Sequence, residues 1–76
     1  METKPFYKFK TNGIYKSGNF YFTHNFYDKN ADIYVFVDLR SKQKVRLKYD
    51  VIKAMSFSYT GYQREEWNTY RLLYVD

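Results

Sequence analysis

Basic and aromatic side chains alternate along two neighbouring stretches of the sequence. Lysine and arginine occupy every second position from 44 to 48, and aromatic residues occupy positions 34 and 36 of the stretch before it. Aromatic rings that stack on bases, beside cations that neutralise phosphates, are the combination by which small β-proteins bind single-stranded nucleic acid. The residues predicted to bind nucleic acid, single-stranded in preference to duplex, are Tyr34, Phe36, Lys44, Arg46, Lys48, Tyr21 and Lys16.

The same alternation has a simpler interpretation that needs no ligand. Alternating cations are also typical of the solvated face of a strand, and a tyrosine opposite them can be ordinary cross-strand packing. If Leu39 and Val45 flank one hairpin and both strands keep their apolar residues inward, the loop between the strands holds an odd number of residues. That register predicts Phe36 opposite Arg46 or Lys48, on the outer face of the hairpin.

Few residues of this chain are suited to catalysis. The only histidine, His24, lies inside an aromatic stretch, and there is no cysteine. A zinc site normally takes four ligands from Cys, His or carboxylate, and the carboxylates here are scattered along the sequence. No glycine-rich phosphate-binding loop is present. We therefore expect a non-enzymatic protein with no metal and no cofactor, in which His24 has a structural or surface role.

The single tryptophan, Trp67, follows two glutamates at positions 65 and 66. Tryptophan is rarely fully buried and is enriched at binding hot spots, so Trp67 is either a core residue or an exposed anchor for a protein partner. Trp67 is thus the candidate protein-interface residue of an alternative function. In that alternative, the chain is an inhibitor or adaptor, encoded by a phage or mobile element, that docks on an acidic host protein through exposed aromatics.

Alternation of apolar and polar residues with a period of two predicts β-strands over most of the chain. The stretches with this pattern are 20–26, 33–39, 44–49, 55–60 and 69–75. Turn-forming residues such as Ser17-Gly18-Asn19 separate the strands by only a few positions. Connections this short join antiparallel neighbours, because parallel strands need crossovers of a dozen or more residues.

Helices are harder to place, because no stretch has a sustained apolar stripe at helical spacing. Residues 49–55 could form one turn, and 63–68 is the other candidate. The predicted fold is therefore all-β, a small antiparallel meander of five or six strands with at most one short helical turn. A flat sheet of this size leaves one apolar face in water, so we expect it to curl into an SH3-like or OB-like barrel.

Two of the predicted strands resemble those of cold-shock domains. Residues 16–22, Lys-Ser-Gly-Asn-Phe-Tyr-Phe, resemble the Lys-Gly-Phe-Gly-Phe strand of that family, and residues 32–35, Asp-Ile-Tyr-Val, resemble its Asp-Val-Phe-Val strand. The similarity covers only part of the chain, and the connection that follows the third strand is shorter than in the family. The resemblance implies an OB-like barrel.

Length and composition set the remaining expectations. The chain has 76 residues, a net charge of +5 and 24% aromatic residues, which predicts one small β domain spanning residues 1–76. No signal peptide opens the chain and no apolar run approaches the roughly 20 residues of a membrane span, so we expect a cytoplasmic protein with no membrane contact. The thin core of so small a domain, with its surplus of aromatics, predicts a homodimer.

Overall fold

The computed structural model describes residues 8–75, which form one antiparallel sheet with a helix packed on each face. The strands are β1 (Gly13–Ser17), β2 (Phe20–Asp28), β3 (Ile33–Asp38), β4 (Lys44–Leu47) and β5 (Ser58–Gln63). The helices are α1 (Tyr49–Met55) and α2 (Trp67–Tyr74), and a 3-10 turn (Arg64–Glu66) leads into α2. The prediction of a mostly β, antiparallel fold is confirmed.

The strands of the sheet lie in the order β4-β3-β2-β1-β5 and are not closed into a barrel. The first four strands form a meander with short connections. Helix α1 then carries the chain from the β4 edge to the opposite edge, where β5 pairs with β1. The expected barrel is therefore replaced by an open sheet. Because a helix covers each face, neither face needs barrel closure to be shielded from water.

One face of the sheet packs against α1 and carries the largest aromatic cluster. Tyr34 and Phe36 of β3 are 2% and 0% exposed. They pack with Tyr15, Phe22 and Ile52, the residue that α1 contributes to the cluster. The rings meet edge to face, as between Tyr15 and Phe36 at a centroid distance of 6.2 Å. This geometry stabilises an aromatic core beyond the effect of burial alone.

The opposite face of the sheet packs against α2. Ile14 of β1, Tyr21 of β2 and Leu39, just after β3, form a buried cluster with Trp67 and Tyr70 of α2. Positions 67 and 70 are three residues apart, which places both rings on the same side of the helix. A helix of only eight residues is thereby fixed to the sheet by two large side chains.

The pairing of β3 with β4 differs from the predicted register. Phe36 pairs with Val45, whereas the sequence predicted Phe36 opposite Arg46 or Lys48. Six residues, 38–43, connect the last paired positions of the two strands, an even number where an odd one was predicted. A shift of one residue moves every side chain of a strand to the other face. The predicted register is wrong, and Phe36 lies on the buried face with Val45.

The helices also depart from the sequence prediction. Residues 49–55 form α1, as expected, whereas most of 69–75, predicted as a strand, lies in α2. The start of the second helical segment is stabilised by a capping box, in which the Gln63 N–H donates to Glu66 Oε1 at 2.8 Å. Two helices thus replace the single helical turn that was expected. Within residues 8–75, neither helix is long and apolar enough to cross a membrane.

His24 is buried among aromatic rings on the α1 face of the sheet. It is 5% exposed, and its ring centroid lies 5.1 Å from that of Phe36 and 5.4 Å from that of Phe9. Neither ring nitrogen has a hydrogen-bond partner among residues 8–75. Burial lowers the pKa of His24, because the charged imidazolium would lose its hydration there.

We expect His24 to make the fold less stable in mild acid. The pKa of an unfolded histidine is about 6.5, and the folded value is lower. Below about pH 6.5 the unfolded chain therefore binds the proton first, and the free energy of unfolding should fall by up to about 1.4 kcal/mol per pH unit. Urea denaturation as a function of pH measures this slope. His24→Phe keeps a ring and cannot be protonated, so the same slope in that variant would contradict the prediction.

Candidate functional site

The structure separates the residues that the sequence predicted to bind nucleic acid. Tyr34 and Phe36 lie in the core on the α1 face. Lys44 and Arg46 are exposed on the edge strand β4, and the alternation of the strand places them on the opposite face. Lys48 is exposed at the start of α1. The predicted exposed surface of aromatics beside cations is therefore not formed by these five residues, because the actual register buries both rings.

Arg46 has an acidic partner on its own face of the sheet. Its guanidinium nitrogen lies 3.5 Å from the Asp28 carboxylate, reaching from β4 across β3 to β2. An exposed ion pair of this kind contributes little to stability, but it offsets the charge of Arg46 toward a ligand. Phosphate binding by Lys44, Arg46 and Lys48 stays an untested alternative, and the ion pair with Asp28 makes Arg46 the least available of the three.

Lys16 and Tyr21, the other two predicted residues, are brought together near the C-terminal end of α2. They pair across β1 and β2, and Lys16 Nζ lies 5.9 Å from the centroid of the Tyr21 ring, a cation–π contact. Both residues line a depression that also contains Arg40 and Tyr74. This pair of predicted residues therefore lies beside a further cation and a further ring.

Four cations line a groove between α2 and the β3–β4 connection. The groove has a volume of about 470 Å³ near Arg64 and continues along the helix as far as Arg71. We refer to it as the basic groove, and its residues are Asn12, Leu39, Arg40, Lys42, Arg64, Glu65, Trp67, Asn68 and Arg71. Glu65 is the one carboxylate in this set, and none of the four cations has an ion-pair partner within residues 8–75.

The β3–β4 connection holds Arg40 and Lys42 in a hydrogen-bonded turn. The Asp38 carboxylate accepts hydrogen bonds from the backbone N–H of Arg40 at 2.9 Å and of Ser41 at 3.3 Å. Lys42 adopts a left-handed conformation with φ of 65°, and its N–H donates to the Asp38 carbonyl at 2.7 Å. An aspartate that accepts from the following N–H groups is a typical turn former. Both cations are therefore presented by one ordered turn.

The other two cations are positioned by α2 and the turn before it. The Arg64 N–H donates to the Asn12 carbonyl at 2.6 Å, which ties the 3-10 turn to the start of β1. Arg71 is four residues after Trp67, so the two lie on the same side of α2. Because Trp67 is fixed in the core, Arg71 is held at the side of the groove.

Trp67 is the core residue on which this arrangement depends. It is 8% exposed, and its ring centroid lies 5.5 Å from that of Tyr21 and 6.0 Å from that of Tyr70. Of the two alternatives for Trp67, core residue or exposed anchor, the structure has the first. What remains exposed of the residue lines the basic groove.

The sequence does not indicate the basic groove, because the cations of the groove come from distant segments. Arg40 and Lys42 stand in the connection between two predicted strands, which carries no binding motif of its own. Arg64 and Arg71 stand three residues before and four residues after Trp67, which is helical spacing. That spacing is the one signal in the sequence that could have placed two of the four cations beside the tryptophan.

Comparisons with protein-family models, with curated proteins and with solved structures find no match for this chain. What the groove can do therefore follows from its own residues. Arginine presents a planar fork of donors that suits phosphate or carboxylate oxygens, and lysine adds a compact charge. The amide of Asn68 supplies a neutral donor beside them. The basic groove is thus suited to bind anionic oxygens.

The position of Trp67 in the core predicts its fluorescence. As the single tryptophan of the chain, it should emit at shorter wavelength in the folded protein than in urea, and acrylamide should quench the folded emission only weakly. Both effects arise because the indole is shielded from water. Equal emission wavelength and equal quenching in the folded and unfolded protein would contradict a buried Trp67 and favour the exposed anchor instead.

Proposed function

We propose that this chain is a non-enzymatic nucleic-acid-binding protein whose basic groove binds the phosphate backbone. The observation that carries the proposal is the grouping of Arg40, Lys42, Arg64 and Arg71 around one groove with a single carboxylate, Glu65. Cations that share a concave surface and lack acidic partners raise the local positive potential and attract a polyanion. Release of counterions from the phosphates then supplies most of the affinity.

The dimensions of the groove favour an extended polyanion over a small anion. The groove follows α2, whose eight residues span roughly 12 Å at 1.5 Å per residue. Measured along the axis of a DNA helix, each strand carries one charge about every 3.4 Å. Several consecutive phosphates can therefore lie along the cations at once, whereas a single phosphate would contact only a few of them.

Titration of fluorescently labelled oligonucleotides, single-stranded and duplex, at several salt concentrations tests the proposal. With four phosphate contacts to a single strand, the logarithm of the affinity should fall against the logarithm of salt with a slope of about −3. The double variant Arg64→Gln, Arg71→Gln removes two of these cations and should flatten the slope by about 1.4. Its affinity at low salt should also be lower than that of the wild type.

Arg46→Gln is the matched control, because Arg46 is paired with Asp28 and does not line the groove. We expect this variant to leave affinity and salt dependence nearly unchanged. A larger loss in Arg46→Gln, Lys44→Gln or Lys48→Gln than in the groove variant would place the phosphates at the β4 edge, as predicted from the sequence. Absence of binding by either oligonucleotide at low salt would refute nucleic-acid binding altogether.

One observation favours a protein-directed function as the second candidate. Leu72 and Leu73 of α2 are 81% and 63% exposed, and Tyr74 beside them is 61% exposed. Adjacent exposed apolar side chains are typical of protein-interaction sites. Because Arg71 precedes them, the complementary partner is an acidic protein with an apolar patch, for which the chain would be an inhibitor or adaptor. Protein binding becomes the favoured function if neither oligonucleotide binds.

The exposed leucines also suit the homodimer expected from the thin core. We expect sedimentation equilibrium at high micromolar concentration to show a dimer for the wild type and a monomer for the double variant Leu72→Ser, Leu73→Ser. The substitutions remove apolar surface that self-association would bury and leave the core residues Trp67 and Tyr70 unchanged. A monomeric wild type, or a double variant that still dimerises, would contradict this prediction.

A further inference from the structure

The basic groove continues around the C-terminal end of α2. Arg40 lines both this groove and the depression that contains Lys16 and Tyr74. Lys16 and Tyr74 in turn line a second groove on the other side of α2, against β5. Because they share lining residues, these depressions are adjacent, and we refer to the series as the track. It passes from Arg64 along the helix, around its C-terminal end and back along the far side.

The second groove has a different chemistry, because tyrosines line most of it. We refer to it as the tyrosine groove, and its residues are Lys16, Ser58, Tyr59, Thr60, Tyr62, Tyr70 and Tyr74. Within the described part of the chain, residues 8–75, the set contains one cation and no carboxylate. The most exposed of its rings belongs to Tyr74. The track therefore has a cationic side, suited to phosphates, and an aromatic side.

The aromatic side is held in place before any ligand binds. The ring centroid of Tyr74 lies 4.9 Å from that of Tyr70 and 6.0 Å from that of Tyr62. The hydroxyl groups of Tyr62 and Tyr74 lie 3.4 Å apart, and the hydrogen bond between them raises the pKa of Tyr62. Tyrosine has an ordinary pKa of about 10, so Tyr62, whose pKa is raised further, is uncharged near neutral pH and does not repel a phosphate. Tyr74 has support from neighbouring rings and is still open to solvent.

We propose that the ligand of this track is a single-stranded nucleic acid, with phosphates in the basic groove and an unpaired base stacked on Tyr74 in the tyrosine groove. The inference rests on the proposed function, and it names the form of nucleic acid that the site takes. Stacking on an aromatic side chain requires a base whose face is free, which a duplex does not offer. Lys16 is placed to contact the phosphate next to that base.

The curvature of the track also favours a single strand. The track turns around the end of a helix whose diameter, with side chains, is about 10–12 Å. Duplex DNA has a persistence length of about 50 nm, so bending it around such a small radius is very costly. A single strand has no such stiffness and can follow both sides of α2. A duplex can reach only the basic groove.

The test compares three labelled probes, made as DNA and as RNA: a single strand of about twelve nucleotides, the same strand in a duplex, and an abasic strand of equal length. We expect the wild type to bind the single strand at least about tenfold more tightly than the duplex or the abasic strand. Tyr74→Leu should weaken single-strand binding by about five- to 150-fold, the range for loss of one stacked base. Binding of the duplex and of the abasic strand should not change.

Phe26→Leu is the control for loss of an exposed ring. Phe26 is 47% exposed and lines neither groove, so this variant should bind all probes as the wild type does. Circular dichroism and thermal unfolding establish that Tyr74→Leu is folded. Equal affinity for single strand and duplex, or a Tyr74→Leu variant that binds like Phe26→Leu, would overturn the single-strand inference. In that case the loss in the double variant Arg64→Gln, Arg71→Gln would still support phosphate binding in the basic groove.

Discussion

Both faces of the central strands carry large apolar side chains, so each face must pack against another layer of structure. This requirement determines the architecture. In β3, the consecutive residues Tyr34, Val35, Phe36 and Val37 are all at most 6% exposed, although they point alternately to opposite faces. A sheet buried on both faces needs a layer on each side. Helix α1 packs on one face through Ile52, and α2 packs on the other face through Trp67 and Tyr70, against Ile14, Tyr21 and Leu39.

Helix α2, the second of these layers, also forms part of the candidate site. Helix α2 has only eight residues and is fixed to the sheet by Trp67 and Tyr70. Because so short a helix covers only part of its face, a groove is left open along each of its sides. The β3–β4 connection lies along one groove and β5 along the other. The residues that complete the core are thus the same residues that set the width and direction of both grooves.

Tyrosine has two different roles in this protein, and burial distinguishes them. Tyr34 is 2% exposed and packs in the centre of the α1 face, where its contribution is to stability. Tyr74 is 61% exposed and lies on other rings at the end of α2, where its face is open to a ligand. The aromatic content of 24% is therefore used mainly to build a core with rings on both faces of the sheet. Of the exposed aromatic residues, Tyr74 is the one that belongs to α2, and Phe20 and Phe26 lie on β2.

Local sequence patterns predicted the antiparallel pairing, the approximate positions of β2, β3 and β4, a helical segment at 49–55 and the positive charge. Period-two alternation and short connections are local properties, and they carry this information directly. The face on which Phe36 lies was decided by the even number of residues in the β3–β4 connection. The alternation within each strand gives no information about the length of that connection. The segment 69–75 has apolar residues compatible with either period, and it became a helix because Trp67 and Tyr70 could cover the second face of the sheet. The basic groove likewise exists only in the tertiary structure, since Arg40 and Arg71 meet through the packing of α2 beside a turn that is distant in sequence.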